Sequence, residues 1–136
     1  VIRARSHILI VEAEEVIADI TAFRLELLGF EVSVAYRGEQ VNELLQERKP
    51  DLFIIDMQLP GLSGLALIEQ VTASEATGKI PVIAISFDAN TDQVQQAFAA
   101  GATDYLVAPF DPLVLEDKVS HLIGATTAQR VGAARG

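Results

Sequence analysis

The sequence predicts an α/β protein: a doubly wound parallel sheet of five strands alternating with five helices. Three observations carry this. Short continuous apolar runs (Ile8–Val11, Leu52–Ile55, Pro81–Ile85) recur, each too short for a helix and suited to a strand buried on both faces. Apolar residues at helical spacing lie between them. Gly and Pro separate the segments where each pattern changes.

The first strand, Ile8–Val11, ends at an acid, Glu12. Val16, Ile17, Ile20, Phe23, Leu27 and Leu28 then recur at helical spacing, and Gly29 supplies the C-terminal cap of that first helix. Glu31–Tyr36 alternates polar and apolar, as a strand at or near an edge does. Val41, Leu44 and Leu45 give a face to a second helix that ends before Pro50. The third strand, Leu52–Ile55, stops at Asp56; Pro60 and Gly61 force a turn, and Ser63 caps a helix carrying Leu65, Ile68 and Val71. A polar loop over 73–79 leads to the fourth strand, Pro81–Ile85. Val94, Ala97 and Phe98 face a fourth helix that stops at Gly101. Tyr105–Val107 is the fifth strand, and Leu115, Val119, Leu122 and Ile123 mark the last helix. From Ala125 the residues are small and polar, which predicts a flexible tail or linker over 125–136.

At 136 residues the chain is long enough for one domain with a sizeable core. A net charge of −9 argues against gripping nucleic acid or an anionic membrane. With no cysteine, disulfides and thiolate metal sites are excluded. Nothing reads as a signal peptide or a membrane span, so the expectation is a soluble, cytoplasmic protein. The chain opens on Val1, which suggests processing or an excised domain.

In the strand order 2-1-3-4-5, strands one and three are neighbours and the binding crevice opens between their carboxyl ends. Glu12 and Asp56 then point into one crevice, where two carboxylates repel unless a proton or cation comes between them. A hard divalent ion, Mg²⁺, is the functional reading; capping a loop is the structural reading of Asp56. Ser86, at the end of strand four, adds a hydroxyl nearby.

The motifs Ile-Leu-Ile-Val-Glu (8–12), Leu-Gly-Phe-Glu-Val (28–32), the run from Pro50 to Gly64, Pro-Val-Ile-Ala-Ile-Ser (81–86) and Gly-Ala-Thr-Asp-Tyr-Leu-Val-Ala-Pro-Phe (101–110) occur in this order. Together they resemble the receiver domain of two-component response regulators, over His7 to Gly124. The resemblance implies the flavodoxin-like (CheY-like) fold, a receiver domain over 7–124 with an N-terminal extension over 1–6, and Asp56 as phosphoacceptor from a histidine kinase. Ser86 would contact the phosphoryl group, Glu12 and Asp56 would hold the metal, and Pro109 would follow a cis bond.

Two departures from the family's pattern bear on that chemistry. The second acid after strand one is replaced by Ala13, which cannot ligate a metal, and the lysine before the proline after strand five is replaced by Ala108. A phosphoryl group adds about −1.5 to −2 charges beside Glu12, and losing one placed electrostatic stabiliser costs roughly 10²–10³ in rate. Glu14 and Glu15 sit where acids complement a helix dipole. Arg37 belongs to a solvated edge, and Lys79 lies at the opposite rim. Phe87 stands where the family has a small residue; it either roofs the pocket or turns outward to a partner. Tyr105 matches the family's switch aromatic and equally suits an amphipathic cover for a sheet edge.

The expected function is a degenerate receiver, a pseudo-receiver, which is not an enzyme and signals by binding a histidine kinase or downstream effector. Its partner or homodimer surface would be helix four, strand five and helix five, offering Gln93, Gln96, Tyr105, Asp111 and Lys118. The alternatives are a phosphoacceptor acting through Asp56, and a flavin or small-molecule binder. The acidic, glycine-free stretch Val11–Glu15 argues against the latter.

Overall fold

The structure, a computed structural model, describes the backbone of residues 5–135 and the side chains of residues 5–124. Residues 1–4 of the predicted N-terminal extension lie outside the described residues.

Five parallel strands form one sheet in the order β2-β1-β3-β4-β5: β1 (His7–Val11), β2 (Glu31–Ala35), β3 (Leu52–Asp56), β4 (Val82–Ser86) and β5 (Asp104–Val107). Five α-helices connect them: α1 (Glu15–Leu27), α2 (Val41–Glu47), α3 (Gly64–Ala73), α4 (Thr91–Ala100) and α5 (Pro112–Arg135). A single 3-10 turn, Gly38–Gln40, precedes α2. The predicted topology is the observed one.

Side chains of a strand alternate between faces, and the sheet divides its core accordingly. Leu9, Val11, Phe53, Ile55, Val82 and Ala84 face one way, where α3 contributes Leu67, Ile68 and Val71. Ile8, Ile10, Leu52, Ile54, Ile83 and Leu106 face the other, against Ala22 and Leu25 of α1 and Leu115, Val119 and Ile123 of α5.

Local signals place the loops at the carboxyl rim. Ser63 caps α3, its hydroxyl accepting from the Ala66 N–H at 3.1 Å. Gly64 is obligatory for a steric reason: a Cβ there would lie 2.1 Å from the Asp56 carbonyl oxygen. The Ala108–Pro109 bond is cis.

One expectation needs correction. The residues predicted to form the packing face of α1 are exposed: Val16 at 70%, Ile17, Ile20, Phe23 at 62%, Leu27 at 71%, and Leu28 beyond the helix. The face turned to the sheet is Ala18, Ala22 and Leu25, itself an i, i+4, i+7 stripe. Likewise Ala97 is buried on α4 while Phe98 is exposed. The backbone of α5 continues through Arg135, past the point at Ala125 where the sequence predicts a tail or linker to begin. Among the described residues no helix is long and apolar enough to cross a membrane.

Candidate functional site

Strand parity assembles the site. Val11 of β1 pairs with Ile55 of β3, so Glu12 and Asp56 occupy the next register position on adjacent strands. Both continue rows that point toward α1 and α5: Ile10 then Glu12, and Ile54 then Asp56. On β4 the same row runs from Ile85 to Phe87, and on β5 from Leu106 to Ala108. Glu12, Asp56, Phe87 and Ala108 accordingly line one cavity of about 280 Å³, together with Ile17 and Ile20 of α1 and Phe110 and Pro112 beyond β5.

The two acids are almost fully buried, Glu12 at 9% and Asp56 at 7% exposure. The Gln58 N–H donates to Asp56 Oδ1 at 2.9 Å. Glu12 Oε2 is buried with no hydrogen-bond partner. Burial drives the Glu12 carboxyl up to about 8, reinforced by hydrogen bonding to and charge repulsion from Asp56; the Ala13 N–H opposes this only in part. Two ionised carboxylates have no proton to give each other, so this contact is satisfied only by a shared proton or by a cation.

Ser86 lies on the other side of the sheet end. Its hydroxyl oxygen accepts from Gln58 Nε2 at 2.7 Å and from the Asp88 N–H at 3.0 Å, and it donates to Gln93 Oε1 at 3.0 Å. The sequence reading puts this hydroxyl beside the acids; its bonds run to the Gln58 and Gln93 side chains and the Asp88 N–H. Tyr105 joins the same group, donating from its hydroxyl to the Asp88 carbonyl at 2.8 Å. Sequence reasoning missed Gln58, and it set Gln93 on a partner surface without foreseeing its bond to Ser86. Gln58 stands between the buried Met57 and Leu59, and Gln93 opens α4; the one available signal is their position just past β3 and on the first turn of α4.

The other candidates separate. Phe87 lines the outer part of the cavity yet is exposed, and its N–H lies 3.3 Å from Gln58 Oε1. Lys118 pairs with Asp104 at 2.7 Å and is not free for a partner. Gln96 and Asp111 are exposed. Glu14 occupies the N-cap position of α1 without a side-chain cap bond, and Glu15 stands in its first turn. Arg37 and Lys79 are exposed.

As a donor set for Mg²⁺ the residues are incomplete. Two carboxylates, one with an unpartnered oxygen, suit a hard cation in part. The adjoining residue is Ala13, and among the described residues no three acids or histidines converge in a way that could hold a metal.

A family model for the response regulator receiver domain matches residues 8–120. The chain belongs to that family. This receiver is 35% identical over 116 residues to the phosphate regulon transcriptional regulatory protein PhoB of Rhizobium meliloti, covering 85% of this chain and 51% of that protein. It therefore spans about half the length of the curated relatives it matches. Among solved structures it resembles the receiver of the Pseudomonas aeruginosa sensor histidine kinase PA1611 at 28% identity and a TM-score of 0.80, covering 89% of this chain and 99% of that one. That protein holds a magnesium ion in its active-site cleft. The receiver of a signal-transduction histidine kinase from Syntrophus aciditrophicus is equally close, with 28% identity and a TM-score of 0.82, covering 88% and 91% of the two chains.

Proposed function

We propose that this receiver domain, spanning residues 7–124, is a degenerate one that signals by binding protein partners, without relying on Mg²⁺-dependent phosphorylation and without enzymatic activity. The observation that carries this reading is the composition of the acid pocket. Glu12 and Asp56 are flanked by Ala13 and Ala108, no basic residue lines the cavity, and the Ser86 hydroxyl is held by Gln58 and Gln93. A phosphoryl group on Asp56 would place its charge beside Glu12 with little to offset it, and the missing stabilisers cost orders of magnitude in rate. Partners would be a histidine kinase or a downstream effector in the cytoplasm. The surface formed by α4, β5 and α5, with Phe98 and Val107 exposed, would serve a partner or a second copy.

The second reading is phosphoacceptance by Asp56. It is supported by the placement of that carboxylate at the end of β3, by its contact from the Gln58 N–H, and by the names of the relatives, which are transcriptional regulators. Incubation with acetyl phosphate and Mg²⁺ followed by intact-mass measurement separates the readings. The degenerate reading expects the mass to stay that of the unmodified chain. Stoichiometric gain of one phosphoryl group, abolished by Asp56→Asn, would overturn it.

A further inference from the structure

The cavity beside the acids has two unlike parts. Its walls are aliphatic and aromatic, including Ile20, Ile85, Phe87 and Phe110, while Glu12 and Asp56 are its acidic members. Ile17, Ile20 and Phe87 are exposed, and Ile10, Val11 and Ile54 are fully buried, so the space runs inward from solvent to the sheet end. Its volume of about 280 Å³ is just below the range typical of small-molecule pockets, roughly 300–1,000 Å³. A short chain fits it better than a fused-ring molecule.

The lining restricts what can enter. An anion would meet two acids. A wholly apolar ligand would leave the buried Glu12 Oε2 without a partner, and such an atom is costly to keep unsatisfied. A hydrated metal ion would leave the apolar walls uncovered and would find alanine at positions 13 and 108. One chemistry satisfies both parts: an apolar stem ending in a compact cation with several donors. Primary ammonium groups have three donors on a flexible aliphatic chain.

We propose that this cavity is a binding site for a primary alkylammonium group, its stem against Ile20, Phe87 and Phe110 and its nitrogen donating to Glu12 Oε2 and Asp56. The inference needs only the resting pocket and does not rest on whether Asp56 accepts a phosphoryl group. The group can reach the site as a free alkylamine or as the lysine side chain of a partner. The exposed apolar residues of α1 adjoin the mouth at Ile17 and Ile20, which gives a protein-borne lysine a surface to lie against.

The test is an amide NMR titration of the 136-residue chain with n-hexylammonium, n-hexanol and Mg²⁺ as separate probes. Hexylammonium is expected to bind saturably, shifting the amides of Glu12, Ile20, Phe87 and Ala108. Hexanol is expected to bind at least about tenfold more weakly, because it lacks the charge-assisted bonds. Glu12→Gln should weaken hexylammonium by about tenfold and leave hexanol unchanged, whereas Ala108→Leu, which fills the space, should abolish both. Equal binding of the two hexyl probes by the unmodified chain, or no saturable hexylammonium binding, overturns the proposal even if a variant fails to fold. Unchanged hexylammonium affinity in a folded Glu12→Gln protein overturns it as well. A helical peptide with one lysine on an apolar face supplies the second arm. Tighter binding than hexylammonium indicates a partner's lysine and no gain indicates a free amine, both upholding the site. Phosphorylation measured without amine reads the receiver's own chemistry separately.

Discussion

The two faces of the sheet place their open space differently: between helices on the side of α2, α3 and α4, and at the carboxyl rim beside Glu12 and Asp56 on the side of α1 and α5. On the side of α2, α3 and α4, Leu67, Ile68 and Val71 of α3 pack with Phe53 of the sheet and with the small side chains of Ala84 and Ala97. On the side of α1 and α5, the first helix presents Ala18 and Ala22 to the strands and turns Val16, Phe23 and Leu27 outward. Small side chains let α1 approach the sheet, and the open space beside Glu12 and Ala108 is bounded on that helix by Ile17, Ile20 and Thr21. Both faces bury a core of large aliphatic side chains, but the α1 side joins its cavity to two buried acids. That rim is where function is to be sought.

The largest expected effect comes at the turn from β3 to α3. Gly64→Ala would put a methyl group 2.1 Å from the Asp56 carbonyl oxygen and 2.6 Å from the Met57 Cα, both backbone atoms that cannot swing aside. We expect a loss above about 4 kcal/mol, read as a collapse of the urea midpoint; a near-normal midpoint would show that the β3–α3 turn is pliable.

Next in size is the titration of Glu12. Its carboxyl is held at about 8 in the folded chain against an ordinary 4.5, so the folded state carries the extra proton between those values. Stability from this group is full below pH 4.5 and is lost as pH rises through 8. Glu12→Gln removes that loss. Above pH 8 it should be more stable than the parent by on the order of a few kcal/mol, and the gap should close near pH 4.5. Parallel denaturation curves at pH 5 and 8.5 measure it; a constant gap would place the effect elsewhere.

A pair of enlargements then compares the faces directly. Ala84→Val adds bulk to a fully buried core position on the α3 side and should cost about 1–3 kcal/mol. Ala108→Val adds the same bulk to the cavity wall and should be neutral or stabilise by up to roughly 1 kcal/mol. Equal losses in the two variants would refute the open space at Ala108. The smallest effect belongs to Phe23→Ser on the outer stripe of α1, which should alter stability by no more than about 0.5 kcal/mol while reducing any self-association seen by light scattering.

Much of this was legible in the sequence because β1, β3 and β4 are runs of four or five largely apolar residues, and the acids at 12 and 56 stand just where two of those runs stop. The misread face of α1 has a specific origin. Val16, Ile20, Phe23 and Leu27 form one helical stripe and Ala18, Ala22 and Leu25 form another. Hydrophobicity favours the first, whereas close packing against the sheet selects the second. The cavity lining could have been traced by parity, since 12, 56, 87 and 108 each lie two residues beyond a core residue on the α1 side. The Gln58–Ser86–Gln93 group could not, because which amide a hydroxyl meets is set by loop geometry and rotamers and leaves no spacing to read.

The joint between α3 and α4 constrains how the domain can move. The Thr72 hydroxyl lies 2.6 Å from the Ala100 carbonyl oxygen, and its side chain fills the space where a Cβ of Gly101 would be, so the trailing end of α4 is pinned to its neighbour. The leading end is tied by side-chain bonds, through Gln93 to Ser86 and through the Asp88 carbonyl to Tyr105. Breaking those bonds frees Thr91 before it frees Ala100.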